Sequence, residues 1–122
     1  MRSVQFSVSS RVEGDTAIIY PRGYLNNLSG EGLVRECGMY IGKGITKIVV
    51  NFGETDLVNS IGISLILQII EDLRNIEGTI YCTNMSKFLR DTFEMLGLLE
   101  YMRVFPSESD ALQYLKVGQY EH

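Results

Sequence analysis

The 122-residue chain has no tryptophan, two prolines, two cysteines and one histidine, and each scarcity removes a class of chemistry. His122 is the last residue, and Cys37 and Cys82 lie far apart with no further Cys or His beside either. The ligand spacing of a zinc cluster is therefore missing, and neither a metal nor a cofactor is expected. The two thiols read as buried, reduced core residues rather than as a disulfide. No histidine is placed for general-base work, and neither a Gly-x-x-x-x-Gly-Lys-Ser/Thr phosphate loop nor a Gly-x-Ser-x-Gly elbow occurs. Glu71-Asp72 and the pair Glu108/Asp110 fall on solvated helix positions, so the chain is expected not to be an enzyme.

Long apolar runs are missing as well. The best one, Ile61 to Ile70, is interrupted by Ser64 and Gln68 and falls short of the roughly 20 residues of a membrane span, so it reads as a buried helix without membrane insertion. Met1 to Phe6 alternates polar and apolar residues and lacks the apolar segment and cleavage site of a signal peptide, which leads us to expect a cytoplasmic protein. There is no run of Lys or Arg. The net charge of −4 repels a phosphate backbone, and no nucleic acid is expected as a partner.

What is present is a sequence that is 45% hydrophobic, enough for one continuous core, and it reads as a single α/β domain over residues 1–122 with a core of about 4–117. Val4, Phe6 and Val8 alternate as in a half-buried strand, and Thr16 to Tyr20 pairs with it across the Glu13-Gly14-Asp15 turn. Pro21-Arg22-Gly23 breaks the pattern, and Leu33, Val34, Cys37 and Ile41 place a helix over 29–41.

Thr46 to Phe52 is apolar enough for an inner strand, and a loop from Gly53 to Asn59 follows it. Ile61, Leu65, Ile69 and Leu73 then define the strongest helix. Thr79 to Cys82 is a further strand, Ser86 to Met95 a helix carrying Phe88, Leu89, Phe93 and Leu96, and Tyr101 to Phe105 a last short strand. Ser107 and Asp110 open a final helix as a capping box. Met85, Met95, Met102 and Tyr101 read as core or edge packing. The alternation implies a mixed, layered sheet with right-handed crossovers and helices mainly on one face.

Asn59, Ser60 and Gly62 stand where a sheet end meets a helix N-terminus, whose first N–H groups lack intrahelical partners and attract anions or acceptors. Local residues also permit a plain reading, with Asn59 or Ser60 as an N-cap and Gly62 easing the turn.

The stretch Asp56-Leu57-Val58-Asn59-Ser60-Ile61-Gly62-Ile63 resembles the Asp-Ser-Ser-Gly-Leu turn of bacterial anti-sigma factor antagonists, members of the STAS domain family. Gly23-Tyr24-Leu25-Asn26 resembles the family's Gly-Glu-Leu-Asp, Ile48 to Phe52 its central strand, and Met95-Leu96-Gly97-Leu98 with Ser109-Asp110-Ala111-Leu112 its C-terminal signature. The resemblance implies a STAS-like mixed β-sheet of four to five strands with four to five helices mainly on one face.

It also implies a regulator that binds an anti-sigma factor with serine-kinase activity, frees a sigma factor, and is switched off when Ser60 is phosphorylated. The implied docking residues are Asn26, Asn27, Asn59, Ser60, Ile61, Gly62 and Ile63, with Gly62 letting the partner approach closely, in a monomer or weak dimer. Three positions depart from the family pattern: Asn26 and Asn59 replace acids, and Ile61 replaces a second serine. Two alternatives stand beside this reading. One is a non-phosphorylated scaffold or accessory subunit of a signalling assembly or transporter; the other is a small-molecule-binding domain or small enzyme using the strand ends.

Overall fold

The computed structural model of the protein describes residues 7–118, so the expected strand positions Val4 and Phe6 lie outside the described residues. β1 (Ser7–Glu13) and β2 (Thr16–Leu25) form an antiparallel hairpin, with Glu13 opposite Thr16. Gly14, at φ +65°, takes the left-handed position that a two-residue hairpin loop requires. β2 then pairs in parallel with two strands in succession. Thr16 to Ile19 lie beside β3 (Lys47–Asn51), while Arg22 to Leu25 lie beside β4 (Glu54–Val58).

Three expectations are corrected here. Pro21-Arg22-Gly23 does not end the strand: Pro21 sits between the last pair with β3 and the first with β4, where the ladder changes partner. The expected loop over 53–59 contains β4, a strand on which only Thr55 is buried, its hydroxyl donating to the Pro21 carbonyl at 3.1 Å. With β5 (Thr79–Thr83) and β6 (Met102–Phe105) the sheet has six strands rather than four to five. Its order is β1-β2-β3-β5-β6, with β4 joined to β2.

The three inner residues of β3, Ile48, Val49 and Val50, are all apolar because both faces of the strand are covered. Ala17, Ile19, Ile48, Val50, Ile80 and Cys82 face α1 (Asn27–Gly42), α2 (Ser60–Arg74) and α3 (Lys87–Met95), forming the larger core. Phe52 and Phe93 meet edge to face within it, centroids 5.7 Å apart. On the opposite face, α4 (Glu108–Gly118) lays Ala111 and Leu115 over Ile18, Val49 and Tyr81. Both cysteines are buried free thiols, and burial pushes that of Cys37 up to about 12.

α2 buries Ile63, Ile66, Ile69, Ile70 and Leu73, whereas Ile61 is 52% exposed. A strict four-residue step drifts by about 40° per step on a helix of 3.6 residues per turn, so Ile61 leaves the stripe that Leu73 belongs to. In α3 only Leu89 and Phe93 are buried; Phe88 and, just after the helix, Leu96 are exposed, and Met95 is 81% exposed. Met102 is in the core and Tyr101 is exposed.

One carboxylate fastens α4 to the sheet. Glu108 accepts from Arg11 Nη2 (2.7 Å), Tyr20 OH (3.0 Å) and Asn51 Nδ2 (3.0 Å), and its own N–H donates to Asn84 Oδ1 (3.1 Å). β1, β2, β3 and the turn after β5 are thus joined at one point. Burial alone would raise the Glu108 pKa, but the donors Asn51, Arg11 and Tyr20 outweigh it and hold the carboxyl below its ordinary value. A depressed carboxylate stabilises the fold above its unfolded pKa and loses that contribution as acid protonates it. Urea melts are therefore expected to show stability falling as pH drops through and below the usual glutamate range near ~4.3. Glu108→Gln should lower stability at neutral pH by about 1 to 3 kcal/mol and flatten that acid slope; an unchanged slope would exclude this carboxylate as the tie.

Candidate partner-docking site

Because Leu25 of β2 pairs with Val58 of β4, the two helices that follow these strands begin side by side. Each starts on an asparagine. Asn26 Oδ1 accepts from the N–H groups of Leu28 (3.1 Å) and Ser29 (3.2 Å), while Ser29 Oγ accepts from Asn26 N–H (2.7 Å) and donates to the Tyr24 carbonyl (2.6 Å). Asn59 Oδ1 accepts from Gly62 N–H at 2.8 Å. Both amides are therefore N-caps whose oxygens turn inward to their own helices.

The Leu25 carbonyl holds the two starts together. It accepts from Asn59 N–H at 3.1 Å, and a Cβ added to Gly62 would lie 2.4 Å from it. Gly62 is buried, so its missing side chain is explained from inside the fold rather than by access for a partner. A turn further along, Gly30 of α1 lies against Leu65 of α2, which lets the helices pack closely.

Ser60 is the first residue of α2 and is exposed; its hydroxyl makes no hydrogen bond among the described residues. The first intrahelical bond runs from Ile63 N–H to the Asn59 carbonyl (3.0 Å), and Gly62 N–H is held by the cap. The N–H groups of Ser60 and Ile61 precede that bond and have no acceptor within the helix. An anionic group on the Ser60 oxygen would stand beside them, at the positive end of the helix dipole.

Of the residues expected at the interface, Asn27, Ser60 and Ile61 are exposed and Asn26 and Asn59 are half-buried. Gly62 and Ile63 are buried and belong to the packing beneath the surface. Three exposed apolar residues nearby were not anticipated: Tyr24, Leu28, which is 73% exposed, and Leu57. They occupy the end of β2, the first turn of α1 and the end of β4, the same edge as Ile61. Leu28 had a signal in the sequence, since it falls off the helical stripe of Leu33 and Cys37. Leu57 had none, because β4 was hidden.

A family model described as the STAS domain matches residues 7–111. The chain is 26% identical over 97 residues to the Bordetella bronchiseptica protein named "Putative anti-sigma factor antagonist BtrV", covering 80% of this chain and 84% of that one. Among solved structures, the unphosphorylated anti-sigma factor antagonist SpoIIAA superposes with a TM-score of 0.72 at 22% identity, covering 92% of this chain and 98% of that one. The phosphorylated form of the Bacillus protein SpoIIAA gives 0.70 at 25% identity, covering 91% and 99%. A sulfate transporter family protein from Wolinella succinogenes gives 0.73 at 15% identity, covering 88% and 89%.

The packing at this edge makes a prediction that chemical denaturation checks. Gly62→Ala gains about 1 kcal/mol of helix propensity but drives a methyl into the Leu25 carbonyl, and a net loss of about 1 to 3 kcal/mol is expected. Asn59→Ala should lose about 1 kcal/mol through the cap, whereas Asn59→Asp keeps the cap and should match or exceed the wild type. A Gly62→Ala variant as stable as the wild type would refute the close contact.

Proposed function

The chain belongs to the STAS domain family, and we propose that it is an anti-sigma factor antagonist that docks an anti-sigma factor with serine-kinase activity through the edge formed by Asn26, Asn27, Asn59, Ser60 and Ile61. It acts by binding, in the cytoplasm, and frees a sigma factor. Ser60 is the proposed phosphoacceptor. The observation that carries the reading is the exposed Ser60 hydroxyl on the first residue of α2, followed by the exposed Ile61, with the exposed Leu57 at the end of β4 and Leu28 in the first turn of α1. Such a rim provides apolar area for a partner around a hydroxyl that a kinase can reach.

A phosphate adds about −1.5 to −2 charges, and its effects on the fold and on the complex differ. Within the fold it is compatible with the free N–H groups of the first turn of α2. Within a docked complex it would need desolvation and would upset charge complementarity, so binding is lost while folding is kept. The amides at Asn26 and Asn59 fit this scheme: they cap as an acid would but add no charge of their own to the edge.

The same two amides favour a second reading, a constitutive STAS scaffold that is never phosphorylated, and the likeness to a sulfate transporter family protein agrees with it. One experiment separates them: incubation with ATP and a candidate anti-sigma serine kinase, followed by intact mass and a binding titration. The proposal expects one added phosphate, absent in Ser60→Ala, and an affinity lowered at least about ten-fold, or about 1.4 kcal/mol, by Ser60→Asp. Binding that persists without phosphate transfer and ignores Ser60→Asp would establish the scaffold. Absence of any binding would overturn both readings for that partner.

A further inference from the structure

At the opposite end of the strands from Ser60, the start of β6 forms one wall of an open cleft of about 400 Å³. Its lining includes Arg74, Thr79, Tyr81, Glu100, Tyr101 and Arg103. Arg74 comes from the last turn of α2 and Arg103 from β6. Arg103 lies on the α4 side of the sheet, alternating with the core residue Met102, whereas Arg74 belongs to a helix on the other side. Each guanidinium is stacked on a tyrosine: Arg74 lies 5.7 Å from the Tyr101 centroid and Arg103 4.8 Å from that of Tyr114.

Neither arginine has a carboxylate within ion-pair distance among the described residues, whereas Arg11 and Arg22 both do. With Glu100 the only acid in the lining, the cleft carries an excess of positive charge on a chain whose net charge is −4. Stacking on tyrosine fixes the plane of a guanidinium while leaving its N–H fork open for an acceptor.

β6 is also the terminal strand of the sheet, paired to β5 on one side and to no strand on the other among the described residues. An unpaired strand edge offers backbone donors and acceptors that suit an extended polypeptide. Successive side chains of such a segment point to opposite faces, so two adjacent acids would place one carboxylate on each side of the sheet. One would meet Arg103 and the other Arg74.

We infer that the β6 edge is a second docking site, which takes an extended segment of a partner protein carrying two adjacent carboxylates. The segment pairs with the β6 backbone while Arg103 and Arg74 hold its acids from the two faces, in charge-assisted hydrogen bonds. This site is independent of Ser60. Its partner is a different segment from whatever covers the α1/α2 edge.

The test is a titration of the isotope-labelled 122-residue protein with a blocked eight-residue peptide of threonine and valine that has an aspartate and a glutamate adjacent at its centre. Amide shifts are expected at 101–105 and 78–79, with none at 59–62, and binding weakening as salt is raised. The counterpart peptide with asparagine and glutamine should bind at least about ten-fold more weakly, as should Arg74→Gln/Arg103→Gln with the acidic peptide, while Arg103→Lys retains part of the affinity. Thermal melts show whether the double variant is folded; if it is not, the comparison of the two peptides on the unaltered protein decides. Equal binding of both peptides, shifts confined to other surfaces, no shifts at millimolar peptide, or the same shifts from inorganic phosphate at equal concentration would each overturn the inference.

Discussion

The carbonyl oxygen of Leu25 sets how the two helices of the docking edge begin. It ends β2, accepts the N–H of the residue that caps α2, and lies so close to Gly62 that no side chain fits between them. Two strands, two caps and two helices meet there, since β2 leads into α1 through Asn26 and β4 leads into α2 through Asn59. The position of Ser60 follows from this contact. A helix pushed away by even one methyl would move Ser60 and Ile61 relative to Leu28 at the start of α1 and Leu57 at the end of β4. In a close-packed interior such a shift spreads to its neighbours, and here Gly30 against Leu65 is next in line.

The opposite face is held by a different device. α4 brings only Ala111 and Leu115 onto the sheet as fully buried apolar side chains, with Leu112 partly buried beside them. Tyr114 adds ring contacts with Tyr81 and Phe105 near the far end of the helix, which leaves its start to be fixed by other means. Glu108 supplies the missing constraint, because three donors from three strands can reach it together only when α4 enters at one angle. Asn84, in the left-handed region at φ +59°, turns its side chain to the Glu108 N–H and so ties the exit of β5 to the same point.

Much of this was legible in the sequence wherever a residue's burial follows from its own neighbours in the chain. Ile48 to Val50, Ile66 to Leu73 and Leu89 with Phe93 carry their period openly. The reading failed where a partner distant in sequence decides the outcome. Glu54-Thr55-Asp56-Leu57-Val58 has two acids and one buried threonine, and it is a strand only because β2 offers it an edge. Pro21 breaks most strands, yet here it stands where β2 passes from one neighbour to the next. Ile61 and Phe88 continue an apolar pattern but face outward, a fact set by the angle at which each helix meets the sheet. At the site itself, Asn59 and Ser60 were identifiable by cap chemistry, whereas Tyr24 and Leu57 required the β2–β4 pairing.

Charge distinguishes the helix starts that follow these parallel strands. α4 begins with Glu108 and Asp110, so its dipole is compensated by its own first turn. α1 and α2 have no acid in their first turns and are capped by neutral amides. Their positive ends lie side by side, with no acid in the first turn of either. An acid at position 26 or 59 would cap equally well but would partly cancel that field in advance. With asparagine at both positions, neither cap adds a negative charge to that field. A negative charge placed on the Ser60 oxygen thus changes this edge more than it would if either neighbour were already an acid.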